Sequence, residues 1–164
     1  MNRFASFFII FLLGCPVFSS NESILIGDVT KEDLFLTNPK FYESYLASRS
    51  IDLEEKINLN GLSIKILFGT WCHDSQREIP KFLRFLENIN MNSEMISLIG
   101  LNYQKNEPLN RGNIFNIKNT PTIIFFRNEE EIGRIEETPK LFIPGVGQIA
   151  VTLEENILFI LKNN

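Results

Sequence analysis

Residues 69–80, GTWCHDSQREIP, place a tryptophan and a cysteine after an apolar run and before a helical pattern. Cys72 is the candidate nucleophile, because a thiolate attacks disulfides and the free N–H groups of a helix start favour the thiolate. Ser75 stands three residues later, where a second cysteine would complete a redox pair. The stretch therefore predicts single-thiol chemistry in which Cys72 has no resolving partner.

The neighbours of Cys72 are candidates for supporting roles. Trp71 is expected to shield the sulfur and to offer an apolar platform to a substrate. His73, the only histidine, either tunes the thiol or is an exposed residue without a special role. Asp74 is interpreted as a first-turn acid that stabilises the helix. Ser75 is interpreted either as a hydrogen-bond donor to the thiolate or as an isosteric replacement of a cysteine.

Composition excludes several other classes of function. One histidine and two cysteines supply too few ligands for a metal site, and we expect neither a metal nor a cofactor. The net charge of -4, without a basic block, argues against nucleic acid as a partner. The chain has 164 residues, 15 of them Phe, which is enough for the core of one globular domain.

The first twenty residues have the layout of a secretory signal peptide, with Arg3 before an apolar run over residues 4–13. Two cleavage sites stay open. Cleavage after residue 14 would make 1–14 a bacterial-type lipoprotein signal and leave Cys15 lipidated, whereas the rival site follows Ser19. We expect export to the periplasm or cell envelope, with contact to a membrane only through such a lipid anchor.

Apolar periodicity predicts the elements that position Cys72. Four strands are expected, at 62–68, 94–102, 120–128 and 130–137, the last two as an antiparallel hairpin. Helices are expected from Pro39, from Cys72 to about Asn90, and after the capping box Thr152-x-x-Glu155. The predicted fold is therefore α/β, a mixed four-stranded sheet with helices on both faces and Cys72 at the carboxyl end of a strand.

The domain organisation follows from the same pattern. A loose tether is predicted over residues 21–37, between the signal peptide at 1–20 and one domain at 38–164. Within that domain the pattern assigns no element to residues 140–151, KLFIPGVGQIA and the following valine, which are interpreted as an insertion.

The chain from about 38 to 163 resembles the thioredoxin-like superfamily. The run Trp71-Cys72-His73-Asp74-Ser75 matches that family's W-C-x-x-C motif with serine in the second position. Pro80 matches the proline of the family's active-site helix, and Thr120-Pro121-Thr122 resembles its cis-proline loop. The resemblance implies that the Thr120–Pro121 bond is cis, that it faces the reactive sulfur, and that these residues bind the substrate backbone.

The resemblance also implies a thiol–disulfide oxidoreductase or isomerase that acts through mixed disulfides with protein thiols or disulfides. A substrate thiol or glutathione would release Cys72. Two departures argue against dithiol reduction: Ser75 replaces the second cysteine, and Ile66 stands where the family has a buried acid. The alternative is a redox-inactive peptide-binding or chaperone module on the same fold, with its groove beside Pro121.

Overall fold

The computed structural model describes residues 23–49 and 57–163. The strands are β1 (Gly27–Val29), β2 (Leu62–Phe68), β3 (Ile96–Gly100), β4 (Thr122–Arg127), β5 (Glu130–Glu136), β6 (Lys140–Ile143) and β7 (Gly147–Ala150). The helices are α1 (Lys31–Thr37), α2 (Pro39–Ala47), α3 (His73–Asn88), α4 (Arg111–Ile114) and α5 (Leu153–Lys162). The expected signal peptide and Cys15 lie outside the described residues.

Five strands form one mixed sheet in the order β1-β3-β2-β4-β5. β2 and β3 run parallel, β1 pairs antiparallel with β3, and β4 pairs antiparallel with both β2 and β5. Phe68 lies beside Gly100 and Leu67 beside Thr122, so β2 and β3 finish where β4 begins. We call this edge, marked by Phe68, Gly100 and Thr122, the cysteine end of the sheet.

The predicted α/β class and mixed sheet are confirmed, and the arrangement is compatible with a thioredoxin-like fold. β2 occupies the predicted range, and β3, β4 and β5 lie within theirs. α3 starts directly after Cys72 and continues through Pro80. α5 starts at the predicted capping box, in which the Thr152 hydroxyl accepts the Glu155 N–H at 3.2 Å.

The predicted tether over residues 21–37 is wrong for the part that the structure describes. β1 makes the sheet five-stranded rather than four-stranded, and α1 follows it, capped by Thr30, with Leu34 fully buried. A strand of three residues is too short to show apolar alternation. Its approach also depends on Gly100, where a Cβ would lie 2.2 Å from the carbonyl oxygen of Leu25.

Residues 140–150 of the unassigned insertion form a hairpin of β6 and β7, which is a separate two-stranded sheet. Gly145 and Gly147 have φ of 82° and 99°, values that glycine adopts without a steric penalty. The buried Asn156 of α5 holds the base of the hairpin, because its Oδ1 accepts the Lys140 N–H at 3.0 Å. The insertion therefore has a regular structure of its own, attached beside the main sheet.

Apolar side chains cover both faces of the main sheet. On one face α2, α3 and α5 pack onto the strands, with a core that includes Phe41, Ile66, Phe68, Phe82, Phe125 and Ile157. The second face is covered by the segment 101–117, which contains α4 and contributes Phe115 and Ile117 to a second cluster. Helical segments thus lie on both faces, as predicted, although the one on the second face is a single turn.

Candidate functional site

Cys72 lies at the junction between a buried strand and a long helix. It is the N-cap residue of α3, and its carbonyl accepts the Gln76 N–H at 3.0 Å, the first hydrogen bond of the helix. Its own N–H donates to the Gly69 carbonyl at 3.0 Å, which closes the turn after β2. The Cys72 side chain does not cap the helix and is half-buried. The thiol therefore sits beside free helical N–H groups, which favour negative charge.

The thiol faces the loop that precedes β4. Cys72 Sγ donates to the Thr120 carbonyl oxygen at 3.1 Å, and the peptide bond between Thr120 and Pro121 is cis. Both of these expectations from the sequence are confirmed. Thr120 and Pro121 are buried, and the Thr122 hydroxyl holds the loop by donating to the Asn119 carbonyl at 2.8 Å. The structure thus brings Cys72 to Thr120 and Pro121, which lie almost fifty residues later in the sequence.

Ser75 is fully buried one helical turn from Cys72. Its hydroxyl has no hydrogen-bond partner among the described residues, so the hydrogen bond to the Cys72 sulfur, one of the two interpretations of Ser75, is absent there. The sulfur is instead engaged with the carbonyl of Thr120. This arrangement favours the other interpretation of Ser75, a small side chain occupying the space of a cysteine.

Trp71 is held in place by a hydrogen bond and by an aromatic neighbour. Its indole Nε1 donates to the Leu101 carbonyl at 3.1 Å, and its ring lies 4.9 Å from the ring of Tyr103. Gly69 makes room for the indole, because a Cβ there would lie 2.5 Å from Trp71 Cε2. Trp71 and the largely exposed Tyr103 therefore form an aromatic surface beside Cys72. Sequence reasoning missed Tyr103, which lies in a loop without periodicity.

The loop that carries Leu101 and Tyr103 is organised by a buried carboxylate. Glu107 accepts the N–H groups of Leu109 and Arg111 at 3.0 and 2.8 Å, and the Arg111 guanidinium bridges it to Asp28. Burial alone would raise the pKa of Glu107. The hydrogen bonds from the Arg111 side chain and from the two backbone N–H groups outweigh that effect and lower the pKa to about 2.

The remaining side chains of the motif point to the surface. His73 is exposed, and Asp74 forms an ion pair of 2.6 Å with Arg77 within the first turns of α3. Asp74 is thus the first-turn acid that the sequence predicts. Ile66 is fully buried in the core, so an apolar side chain fills the position at which the resemblance to thioredoxin-like proteins would place a buried acid.

A groove of about 770 Å³ is lined at one point by His73, the residue that follows Cys72. It runs between α2, α3 and the segment that leads into α5. Its walls include Lys40, Glu43, Gln76, Arg77, Glu78, Lys81, Pro139 and Glu154, a mixture of both charges. Sequence reasoning expected a groove beside Pro121 and did not find these residues, because they come from four separate parts of the chain.

Residues 23–49 and 57–163 contain no group of three metal-ligating side chains that could hold a metal ion. No helix within those ranges is long and apolar enough to cross a membrane. A scan of the chain against protein-family models found no match, and a search of the curated proteins found none either.

Proposed function

We propose that this chain is a thioredoxin-like thiol–disulfide exchange protein that acts through a single cysteine, Cys72. The observation that carries the proposal is the contact of 3.1 Å between Cys72 Sγ and the carbonyl oxygen before cis-Pro121, at the start of a long helix. This contact supports a reactive sulfur placed where the backbone of a bound peptide would pass. The aromatic pair of Trp71 and Tyr103 gives that peptide an apolar surface.

The chemistry is an exchange that conserves disulfides. The Cys72 thiolate attacks one sulfur of a client disulfide, and the new S–S bond joins Cys72 to the client. The other client sulfur leaves as a thiolate and takes a proton from water. A second thiol, from the client or from a small thiol such as glutathione, then attacks the mixed disulfide. Cys72 leaves as a thiolate, and the attacking sulfur keeps the disulfide.

Isomerisation or reversible capture fits this site better than net reduction. A dithiol reductase releases its client by attack of its own second thiol, and position 75 carries a hydroxyl. The position of the family's proton-transferring acid carries the buried Ile66. Both departures remove parts of the internal release step and leave the first attack intact. We further propose that the protein works in an exported, disulfide-permissive compartment.

A trapping experiment tests the proposal in a Cys15→Ser background, so that Cys72 is the only thiol. We expect a disulfide-bonded peptide to give a mixed disulfide at Cys72, identified by intact mass and peptide mapping. Ser75→Cys should shorten the lifetime of this adduct at least about tenfold, since an adjacent thiol attacks intramolecularly. Cys72→Ala is the matched control and should form no adduct.

If Cys72 forms no adduct under conditions in which an unstructured cysteine peptide reacts, the exchange proposal is wrong. If the same protein still binds unfolded peptides, the chain is a redox-inactive peptide-binding module.

A further inference from the structure

The carbonyl oxygen of Thr120, at the cysteine end of the sheet, accepts a hydrogen bond from the thiol of Cys72 at 3.1 Å. Within residues 23–49 and 57–163 no other backbone or side-chain group donates to this oxygen. Thr120 is only 5% exposed, so little water is available to replace the thiol. A buried carbonyl without a donor costs free energy, and the thiol proton therefore satisfies an acceptor that the fold leaves open.

This hydrogen bond exists only while Cys72 is protonated. A carbonyl oxygen accepts and does not donate, so the bond needs the S–H proton, and a thiolate in the same place would face the negative end of the carbonyl dipole. The position of Cys72 at the start of α3 acts in the opposite direction, because free helical N–H groups favour the thiolate. Two neighbours of one sulfur thus stabilise opposite protonation states.

No other side chain of the motif is hydrogen-bonded to the sulfur in the part of the chain that the structure describes. His73 is exposed, Asp74 pairs with Arg77, and the hydroxyl of Ser75 has no partner there. The balance between thiol and thiolate in the free protein is therefore set by the Thr120 carbonyl against the start of the helix. A second donor to the Thr120 oxygen would shift that balance towards the thiolate.

We propose that the Thr120 carbonyl keeps the free thiol protonated, and that a client polypeptide activates Cys72 by donating a backbone N–H to the same oxygen. The inference rests on the proposed exchange function and adds its regulation, since the nucleophile forms where a client backbone is already in place. The client N–H satisfies the buried oxygen and offsets its partial negative charge, whichever lone pair it uses. The thiol proton then passes to water, and the thiolate attacks the client disulfide.

This activation selects the substrate by its backbone. A reagent without an amide N–H meets a protonated thiol and gains nothing from the helix start. A disulfide within a polypeptide brings the donor that removes the thiol from the Thr120 oxygen. The substrates are therefore polypeptide disulfides rather than small disulfides without amides, and the free thiol is protected from adventitious reagents.

Reaction rates of the full chain with Cys15→Ser, in which Cys72 is the only thiol, test the activation. An unstructured peptide with one cysteine is the reference at the same neutral pH. Cys72 should react with N-ethylmaleimide no faster than the reference, but with a disulfide-bonded peptide at least about tenfold faster. Replacing the client amides near the disulfide one at a time by esters removes single N–H donors. One of these esters should abolish the tenfold excess, and the others should leave it.

Infrared spectroscopy separates a hydrogen-bonded thiol from one that reacts slowly only because it is half-buried. The S–H stretching band of Cys72 should lie at lower frequency than that of the reference peptide, and Cys72→Ala should lack it. A band at the reference frequency, or no band at neutral pH, would overturn the proposal. So would equal exchange rates for the amide peptide and every ester, a result that leaves the exchange function itself standing. Reaction of Cys72 with none of the disulfides would overturn both proposals.

Discussion

Two segments connect to the residues around the thiol, and they are held to the molecule very differently. The segment 101–117 is fixed by a buried carboxylate with several hydrogen bonds, by an arginine that reaches β1, and by the indole of Trp71. The hairpin of β6 and β7 is held at its base by the side chain of Asn156, and its tip is exposed. The segment 101–117 is therefore a fixed wall beside Trp71, whereas the tip of the hairpin is exposed to solvent.

The largest effect is expected from breaking the fixed wall. Glu107→Gln should lower the free energy of unfolding by about 2–4 kcal/mol, because the half-buried Arg111 side chain and two backbone N–H groups lose a charged, buried acceptor. Urea unfolding of wild type and variant measures the difference. Glu94→Gln, on an exposed residue, is the control and should change stability by less than about 0.5 kcal/mol. Equal losses in both variants would show that Glu107 does not organise the wall.

The same carboxylate predicts a dependence on pH. The pKa of Glu107 is lowered to about 2 in the folded protein, so its contribution is complete above the ordinary glutamate pKa and is lost as pH falls towards 2. The stability difference between wild type and Glu107→Gln should therefore narrow by about 2 kcal/mol between pH 7 and pH 3. A difference that stays constant over this range would contradict the lowered pKa.

A smaller loss of stability is expected at Gly69, which packs against the Trp71 indole. Gly69→Ala places a methyl group against the Trp71 indole and should cost about 1–3 kcal/mol. Because Trp71 is the only tryptophan, its fluorescence should report the displaced ring. Gly27→Ala is the control, because that glycine has a positive φ but open space around it. The control should lose stability without changing the emission, and an unchanged emission in Gly69→Ala would count against the close packing.

The smallest effect is expected at the hairpin. Asn156→Ala removes the acceptor of the Lys140 N–H and should lower global stability by about 1 kcal/mol. Hydrogen exchange should show a larger change, with faster exchange confined to the amides of β6 and β7. Protection that falls equally in β2 would mean that the hairpin is as firmly integrated as the wall, and the contrast between the two segments would disappear.

Local patterns predicted the parts of the fold that are regular over many residues. β2, α3 and the hairpin of β4 and β5 repeat their apolar positions often enough to be recognised. β1 could not be predicted, because three residues show no alternation and its pairing depends on the glycine at position 100 of another strand. The residues that pair and pack across the sheet are fixed by tertiary contacts, which single-sequence periodicity does not report.

The site was predicted to a similar extent. Cys72, Thr120 and Pro121 carry a recognisable motif, and the structure brings them into contact. Glu107 lies in a stretch whose composition indicates a solvated loop, and its burial is explained by the backbone N–H groups and the Arg111 guanidinium that the fold brings to it. The hydrogen bond expected from Ser75 depends on the direction in which the thiol turns, and local sequence does not determine that direction.

Both outer strands of the main sheet carry acidic side chains. Asp28 is exposed on the short β1, and Glu130 and Glu131 are exposed at the start of β5. A strand from another molecule could extend the sheet only by bringing its backbone against these carboxylates and taking them out of water. β1 also covers β3, whose apolar sequence ISLIG would otherwise present an open edge. The acidic side chains on both outer strands thus oppose edge-to-edge aggregation of this protein.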